Sequence, residues 1–205
     1  MTKKQQDKIE KFKKFTRWMC EDLERSMFCA RANFLVAMGL FNYIEILGTF
    51  MIGYFQKDNA GCIKKDKKGK KIKTSSTDRF NKFFSYLGNN YENLVKKYNV
   101  YDELRCGLTH EYLPKNKSFC IYGSDRYLTE QEMDNLKNND DNSKVDCGVI
   151  YLAKSNKWQI FNPKLFIDFK RGIDKLIKVI GSNRDRTLLK NFFEAAAQIN
   201  LENFG

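Results

Sequence analysis

The chain has 205 residues and a formal net charge of +12, from 37 Lys and Arg against 25 Asp and Glu. That length suits one domain, or a core with a modest insertion. The charge favours a polyanionic partner, unless it only reflects lysine and asparagine spread over solvated faces. The six cysteines (Cys20, Cys29, Cys62, Cys106, Cys120, Cys147) form no CxxC pair and there is one histidine, which excludes a histidine-rich metal centre. Reduced thiols are expected rather than a disulfide frame or zinc site. With no signal-peptide pattern at the start, a cytoplasmic location is expected.

In chain order, Ile9, Phe12, Phe15 or Trp18, Met19 and Leu23 follow helical spacing, which predicts an amphipathic helix from about Asp7 to Arg25. A second helix is predicted from about Cys29 to Phe55. One rod of nearly fifty residues at about 1.5 Å each would outrun the domain, so a break is placed near Ser26 to Cys29. Phe34 to Phe55 is apolar and long enough to be tested as a membrane span. It carries Asn42 and Glu45 at mid-depth, where an acidic residue costs about 2.5–3.5 kcal/mol. A central core helix is the cheaper reading, and no membrane partner is expected. Glu45 then needs a partner inside the protein, either a plain structural pair or a contact that orients Arg105 across the bundle.

Lys57 to Ser76 shows no periodicity and is the densest positive segment, with Lys64, Lys65, Lys67, Lys68, Lys70, Lys71 and Lys73. It reads as a loop: a mobile solvated segment, or a flexible arm that grips RNA phosphates without sequence preference. The two are compatible. A third helix starts at Ser76, Thr77 or Asp78 and carries Phe80, Phe83, Phe84, Leu87, Tyr91, Leu94, Val95 and Tyr98 at steps of three and four, a core stripe.

The fourth helix holds His110. Val100, Leu104, Leu108 and Tyr112 recur every four residues, giving one apolar stripe, and Pro114 ends it. Arg105 and His110 lie off that stripe. An i,i+5 pair on an α-helix stands roughly 140° apart, two neighbouring faces rather than one. A fixed cation and a titratable imidazole at a helix end suit a phosphate, since Arg grips it bidentately and His moves protons near neutral pH. A lone histidine near a helix end is also commonly structural.

Arg105-x4-His110-x-Tyr112 resembles the R-x(4–6)-H motif of HEPN domains, in the R-x4-H-x-Y form of their toxin members. The resemblance implies a small helical bundle, usually a homodimer, in which two motifs meet in one cleft that cleaves RNA without metal or cofactor. Arg105 and His110 would be catalytic, leaving 2′,3′-cyclic phosphate ends. Tyr112 matches the tyrosine that some partner nucleotidyltransferase antitoxins modify with AMP. The family's cellular roles are in toxin–antitoxin and phage-defence systems. Cys106 departs from the family pattern, where the residue after the arginine is commonly polar. With Glu45 it is held as possible support for the site, and so is Glu111, which reads as a surface charge or a partner of Arg105. The rivals from other classes are a non-catalytic HEPN module that binds nucleotide or RNA, and a helical scaffold.

Past Pro114 the pattern changes. Ser118 to Tyr122 reads as a short strand, and Val149 to Ala153 with Trp158 to Phe161 as a hairpin turning at Ser155-Asn156. Ser124 to Asp146 between them is polar and mostly acidic. Asn162-Pro163 reads as a cap and first position of a helix ending at Gly181, and a last helix covers about Arg184 to Asn200. No internal repeat is visible. The expected fold is a mainly α, single HEPN-like domain over residues 1–205. It is a bundle of about six helices with a small antiparallel hairpin or three-stranded sheet inserted after the motif helix, at about 115–161.

Overall fold

A computed structural model describes residues 1–30, 32–111, 118–123 and 147–201. Among them the helices are α1 (Lys3–Phe28), α2 (Asn33–Ile52), α3 (Ser76–Tyr86), α4 (Asn89–Lys97), α5 (Tyr101–Glu111), α6 (Asn162–Ser182) and α7 (Arg186–Gln198). The strands β1 (Ser118–Tyr122), β2 (Val149–Leu152) and β3 (Lys157–Phe161) follow α5. The expected helical bundle with a small inserted sheet is the observed architecture. The acidic stretch Ser124 to Asp146 lies outside the described residues.

α1 begins earlier than its apolar spacing suggests because Thr2 and Gln5 form a capping box, each side chain accepting from the other's backbone N–H. Ile9, Phe12, Met19, Leu23 and Met27 line its buried face. The break before α2 falls at residues 29–32, slightly later than expected. α2 is long and apolar enough to cross a bilayer, with a mean hydropathy of 1.7. In this fold it is the central helix, with α1, α3, α5, α6, α7 and β1 all against it. Phe12, Phe50 and Phe192 meet where α1, α2 and α7 converge, with ring centroids 4.7–5.6 Å apart.

The α2–α3 crossing is backbone to backbone. A Cβ at Gly48 would stand 1.7 Å from the carbonyl oxygen of Arg79, so only glycine admits α3 at this distance. The third predicted helix is in fact two. Leu87 closes α3, and Gly88 sits at φ +154° and ψ 172°, a region open only to glycine, before α4 starts. The run of aromatic residues hides this break, because the apolar spacing continues across it. Ser75 rather than a later residue caps α3, accepting from Asp78 N.

The break turns Tyr91 into the bundle. Its hydroxyl donates to Asp168 Oδ2 at 2.6 Å and accepts from Gly148 N at 2.8 Å, while Lys164 pairs with Asp168 Oδ1 at 2.9 Å. These contacts tie α4, α6 and the approach to β2 through buried polar groups. Burial, reinforced by Cys147 and the Asp168 charge, pushes the Tyr91 hydroxyl well above its ordinary value.

β2 and β3 form the expected antiparallel hairpin, with Asn156 in the left-handed region at its turn. β1 pairs with β3 in parallel, so the order is β1-β3-β2 and the sheet is mixed rather than antiparallel throughout. Trp158 and Ile160 on the central strand are fully buried. Asn162 does not cap α6. Phe161 holds that position, and the buried Asn162 instead donates to Asn33 O at 2.7 Å, fastening the sheet to the start of α2.

Residues 54–74 are not an irregular loop. Gln56, Lys64 and Ile72, spaced by eight, close a ring of backbone hydrogen bonds: Lys64 N to Gln56 O, Ile72 N to Lys64 O and Gln56 N to Ile72 O. The bridges Phe55–Lys73, Lys57–Ile63 and Lys65–Lys71 flank the ring. Two equivalent turns project from it, Asp58 to Gly61 and Asp66 to Gly69. In each, the aspartate accepts from two later backbone N–H groups and the glycine has φ near +78°. This is an eight-residue repeat that composition conceals, because one copy is mostly lysine.

Replacing Tyr91 by Phe leaves an Asp168 oxygen and the Gly148 N–H without their partner, at an expected cost of about 1–3 kcal/mol in urea unfolding at pH 7. The Tyr91 pKa is raised on folding, so above pH 10 the unfolded chain releases that proton first and stability falls as pH rises. Tyr91→Phe lacks this loss, so the stability gap between the two proteins should narrow above pH 10.

Candidate functional site

The motif segment α5 is a π-helix over all of Tyr101–Glu111 rather than the α-helix expected. Hydrogen bonds that close i→i+5 turn each residue through roughly 80°, so positions five apart come to about 50° of one another. Arg105 and His110, two faces apart on an α-helix, therefore share a face here. Tyr101 and Cys106, another i,i+5 pair, flank them. Leu104, Gly107 and Leu108 stay buried, so the winding change leaves the apolar anchor in place.

Arg105 is held from α2. Its Nη2 lies 2.8 Å from Glu45 Oε2, the only charged side chain of that helix, and its guanidinium stands 5.7 Å from the Tyr101 ring. The Glu45 contact is an ion pair without good hydrogen-bond alignment, since Oε2 has no aligned donor. A second guanidinium, Arg79 from the first turn of α3, has its Nη2 3.8 Å from Glu45 Oε1. Arg79 also donates to Ser76 Oγ at 2.9 Å and to Ser75 O at 3.3 Å. Ser76 and Cys106 both lie near the Tyr101 hydroxyl. Burial pushes the Tyr101 hydroxyl above its ordinary value.

Two guanidiniums share one carboxylate, so the cluster keeps a net positive charge while its side chains are only 12–17% exposed. Arg105 Nε and Thr109 Oγ1 are buried and have no hydrogen-bond partner among the described residues. His110 is exposed beside them along α5. Such an arrangement can bind an oxyanion against the arginines and present an imidazole to it.

The structure thus brings together Arg105, Glu45 and Cys106 and places His110 on the same helical face. Tyr112 and the side chain of Glu111 lie outside the described residues. Lys64, Lys65, Lys67, Lys68, Lys70, Lys71 and Lys73 are all exposed on the 54–74 element. Arg79, Ser76 and Tyr101 were not foreseen from sequence. Their signals were Gly48 one turn after Glu45, which marks a close helix crossing, and Ser76 one turn before Arg79. All described cysteines are free thiols, and among the described residues no three metal-ligating side chains come together.

No family model matches the chain, and no curated protein or solved structure matches it.

Gly48→Ala forces its new methyl against the Arg79 carbonyl. It should destabilise the protein by about 1–3 kcal/mol in chemical unfolding, the usual scale of overpacking. An unchanged unfolding midpoint would show that the helices can part at this crossing freely.

Proposed function

We propose that the protein is a metal-independent endoribonuclease of HEPN type. It acts in the cytoplasm as a homodimer and cleaves RNA to 2′,3′-cyclic phosphate ends. The observation that carries this reading is the π-helical winding of α5, which sets an anchored guanidinium and an exposed imidazole on one face. The R-x4-H-x-Y resemblance supports it, as does the net charge of +12.

The chemistry assigns the roles. Attack of the ribose 2′-oxygen on phosphorus requires a base for the 2′-hydroxyl proton and an acid for the departing 5′-oxygen. Negative charge develops on the non-bridging oxygens between these events, and a guanidinium aimed at them stabilises it. Arg105 fills that role, with Glu45 fixing its orientation and Arg79 keeping the cluster cationic. Each chain has one histidine, so one imidazole supplies one proton transfer and a second copy supplies the other. A two-fold dimer with both motifs around one phosphate completes the set. By resemblance the cellular setting is a toxin–antitoxin or phage-defence system, with Tyr112 open to AMP transfer by a nucleotidyltransferase antitoxin.

One observation favours a second reading. Cys106 occupies the position that is commonly polar in the family, and a thiol is a weaker hydrogen-bonding group there. A site short of that contact would hold RNA or a nucleotide through the arginines without turning it over. Affinity dependent on Arg105 with no product identifies such a binding module.

Incubation with total RNA separates these. His110→Ala should lower cleavage by roughly 10²–10⁴-fold with the fold and dimer intact, and chelators should leave the wild type active. Cutting retained by the variant refutes the nuclease assignment. Dimers re-formed from mixtures of wild-type and His110→Ala subunits should lose activity as the square of the wild-type fraction, whereas a linear loss means that each subunit works alone.

A further inference from the structure

The 54–74 element concentrates charge on a segment closed by its own backbone hydrogen bonds. Residues 57–73 contain eight lysines and two aspartates, 8 − 2 = +6, half of the chain's net +12. Lys57 is turned inward, 2.9 Å from Glu194 Oε2 and hydrogen-bonded to Asn191 Oδ1. The other seven point to solvent, Lys71 and Lys73 over the rings of Phe55 and Tyr54 at 5.2 and 5.1 Å. Both aspartates are spent on their own turns.

Glu194 on α7 fixes this segment to the bundle. Its Oε1 accepts from Tyr54 N at 3.1 Å and Phe55 N at 3.0 Å, and Oε2 pairs with Lys57. Lys190 donates to Gly61 O at 3.2 Å, and Thr74 Oγ1 to Gly53 O at 3.0 Å. The last segment of the element, Lys73-Thr74-Ser75, runs directly into the first turn of α3, where Ser76 and Arg79 join the Glu45–Arg105 cluster.

We infer that this element is a preformed phosphate-binding platform for the RNA strand, held in position by Glu194 and leading to Arg79 and Arg105. The inference rests on the reading that RNA is the substrate, and assigns how the strand is engaged away from the cut. Single-stranded RNA fits better than an anionic membrane. A membrane-binding surface adds large apolar side chains to its cations, and none of the exposed large hydrophobic residues falls in this element. Closed backbone bonding makes it a platform rather than an arm. The backbone that carries the lysines does not have to be ordered when the strand arrives, which lowers the entropic cost of binding.

The decisive experiment measures RNA affinity in a His110→Ala background, where turnover is blocked, using a labelled single strand of about 20 nucleotides across a salt series. Lys67→Ala/Lys68→Ala/Lys70→Ala should flatten the slope of log affinity against log salt by about 2, at roughly 0.7 per phosphate contact. It should also weaken binding at least tenfold at low salt. An unchanged slope overturns the proposal. Glu194→Gln makes the chain more positive, so a loose cationic arm binds as well or better, whereas a platform that has lost its anchor binds several-fold more weakly. Tighter or equal binding by Glu194→Gln, checked to be folded by circular dichroism, overturns it.

Hydrogen exchange at the Gln56, Lys64 and Ile72 amides of the parent protein gives a reading that needs no anchor variant. Protection supports the platform, and exchange at the rate of an unstructured chain refutes it. Phosphatidylserine vesicles retained through the same lysines, with RNA affinity insensitive to them, also refute it. If the wild type fails to cleave RNA but the slope falls as expected, the platform stands and the nuclease reading falls. Cleavage that persists unaltered in the triple lysine variant does the reverse.

Discussion

One carboxylate organises the centre of this protein. Glu45 is the only charge on the most buried helix, and such a group is costly to desolvate unless it is paired. Its two oxygens face guanidiniums from two further elements, Arg79 on α3 and Arg105 on α5. Removing either cation leaves one arginine to answer it, while removing the carboxylate leaves two like charges close together in a poorly solvated place. The pairing therefore ties the placement of α2, α3 and α5 to one another, and it sits where the motif side chains emerge. Gly48 is the geometric condition for this. Without its missing Cβ, α3 would stand off and Arg79 would lose its reach to Glu45.

The winding of α5 is the second condition. π-helical stretches are rare and occur mostly as single turns, frequently at functional sites. Here the whole of Tyr101–Glu111 is wound this way. The i,i+5 spacing of Arg105 and His110 that looks awkward on an α-helix is the natural spacing of neighbours on this one. Tyr101 and Cys106 obey the same rule, being five residues apart on the same helix. Trp158 of β3 donates to Glu103 at 2.8 Å and holds the same helix from its other side.

Much of the bundle was legible in the residues. Apolar residues locate α1 and α2 to within a few positions, Asn162-Pro163 marks the start of α6, and turn chemistry places the β2–β3 hairpin at Ser155-Asn156. Periodicity failed where side chains and backbone carry different messages. The aromatic stripe from Phe80 to Tyr98 runs on through Gly88, so one helix was read where the backbone makes two. The 54–74 element reads as a loop in sequence because its order lies in backbone bonds and aspartate turns, neither of which has an apolar period. Of the site, Arg105, His110 and Glu45 could be named from residue type and position. Arg79 could not, because it is brought to Glu45 by a helix crossing, and a crossing is a property of two segments together.

The parallel pairing of β1 with β3 has a consequence for how the chain comes off the ribosome. An antiparallel partner for β1 could have followed at once through a short turn, but its actual neighbour, Lys157–Phe161, is synthesised more than thirty residues later. Until that strand emerges, β1 has no mate and Glu103 lacks the indole that steadies the helix beside it. The arginine and histidine are thus made early but settle late. A nascent chain carries these two side chains for some time before the elements that place them are complete.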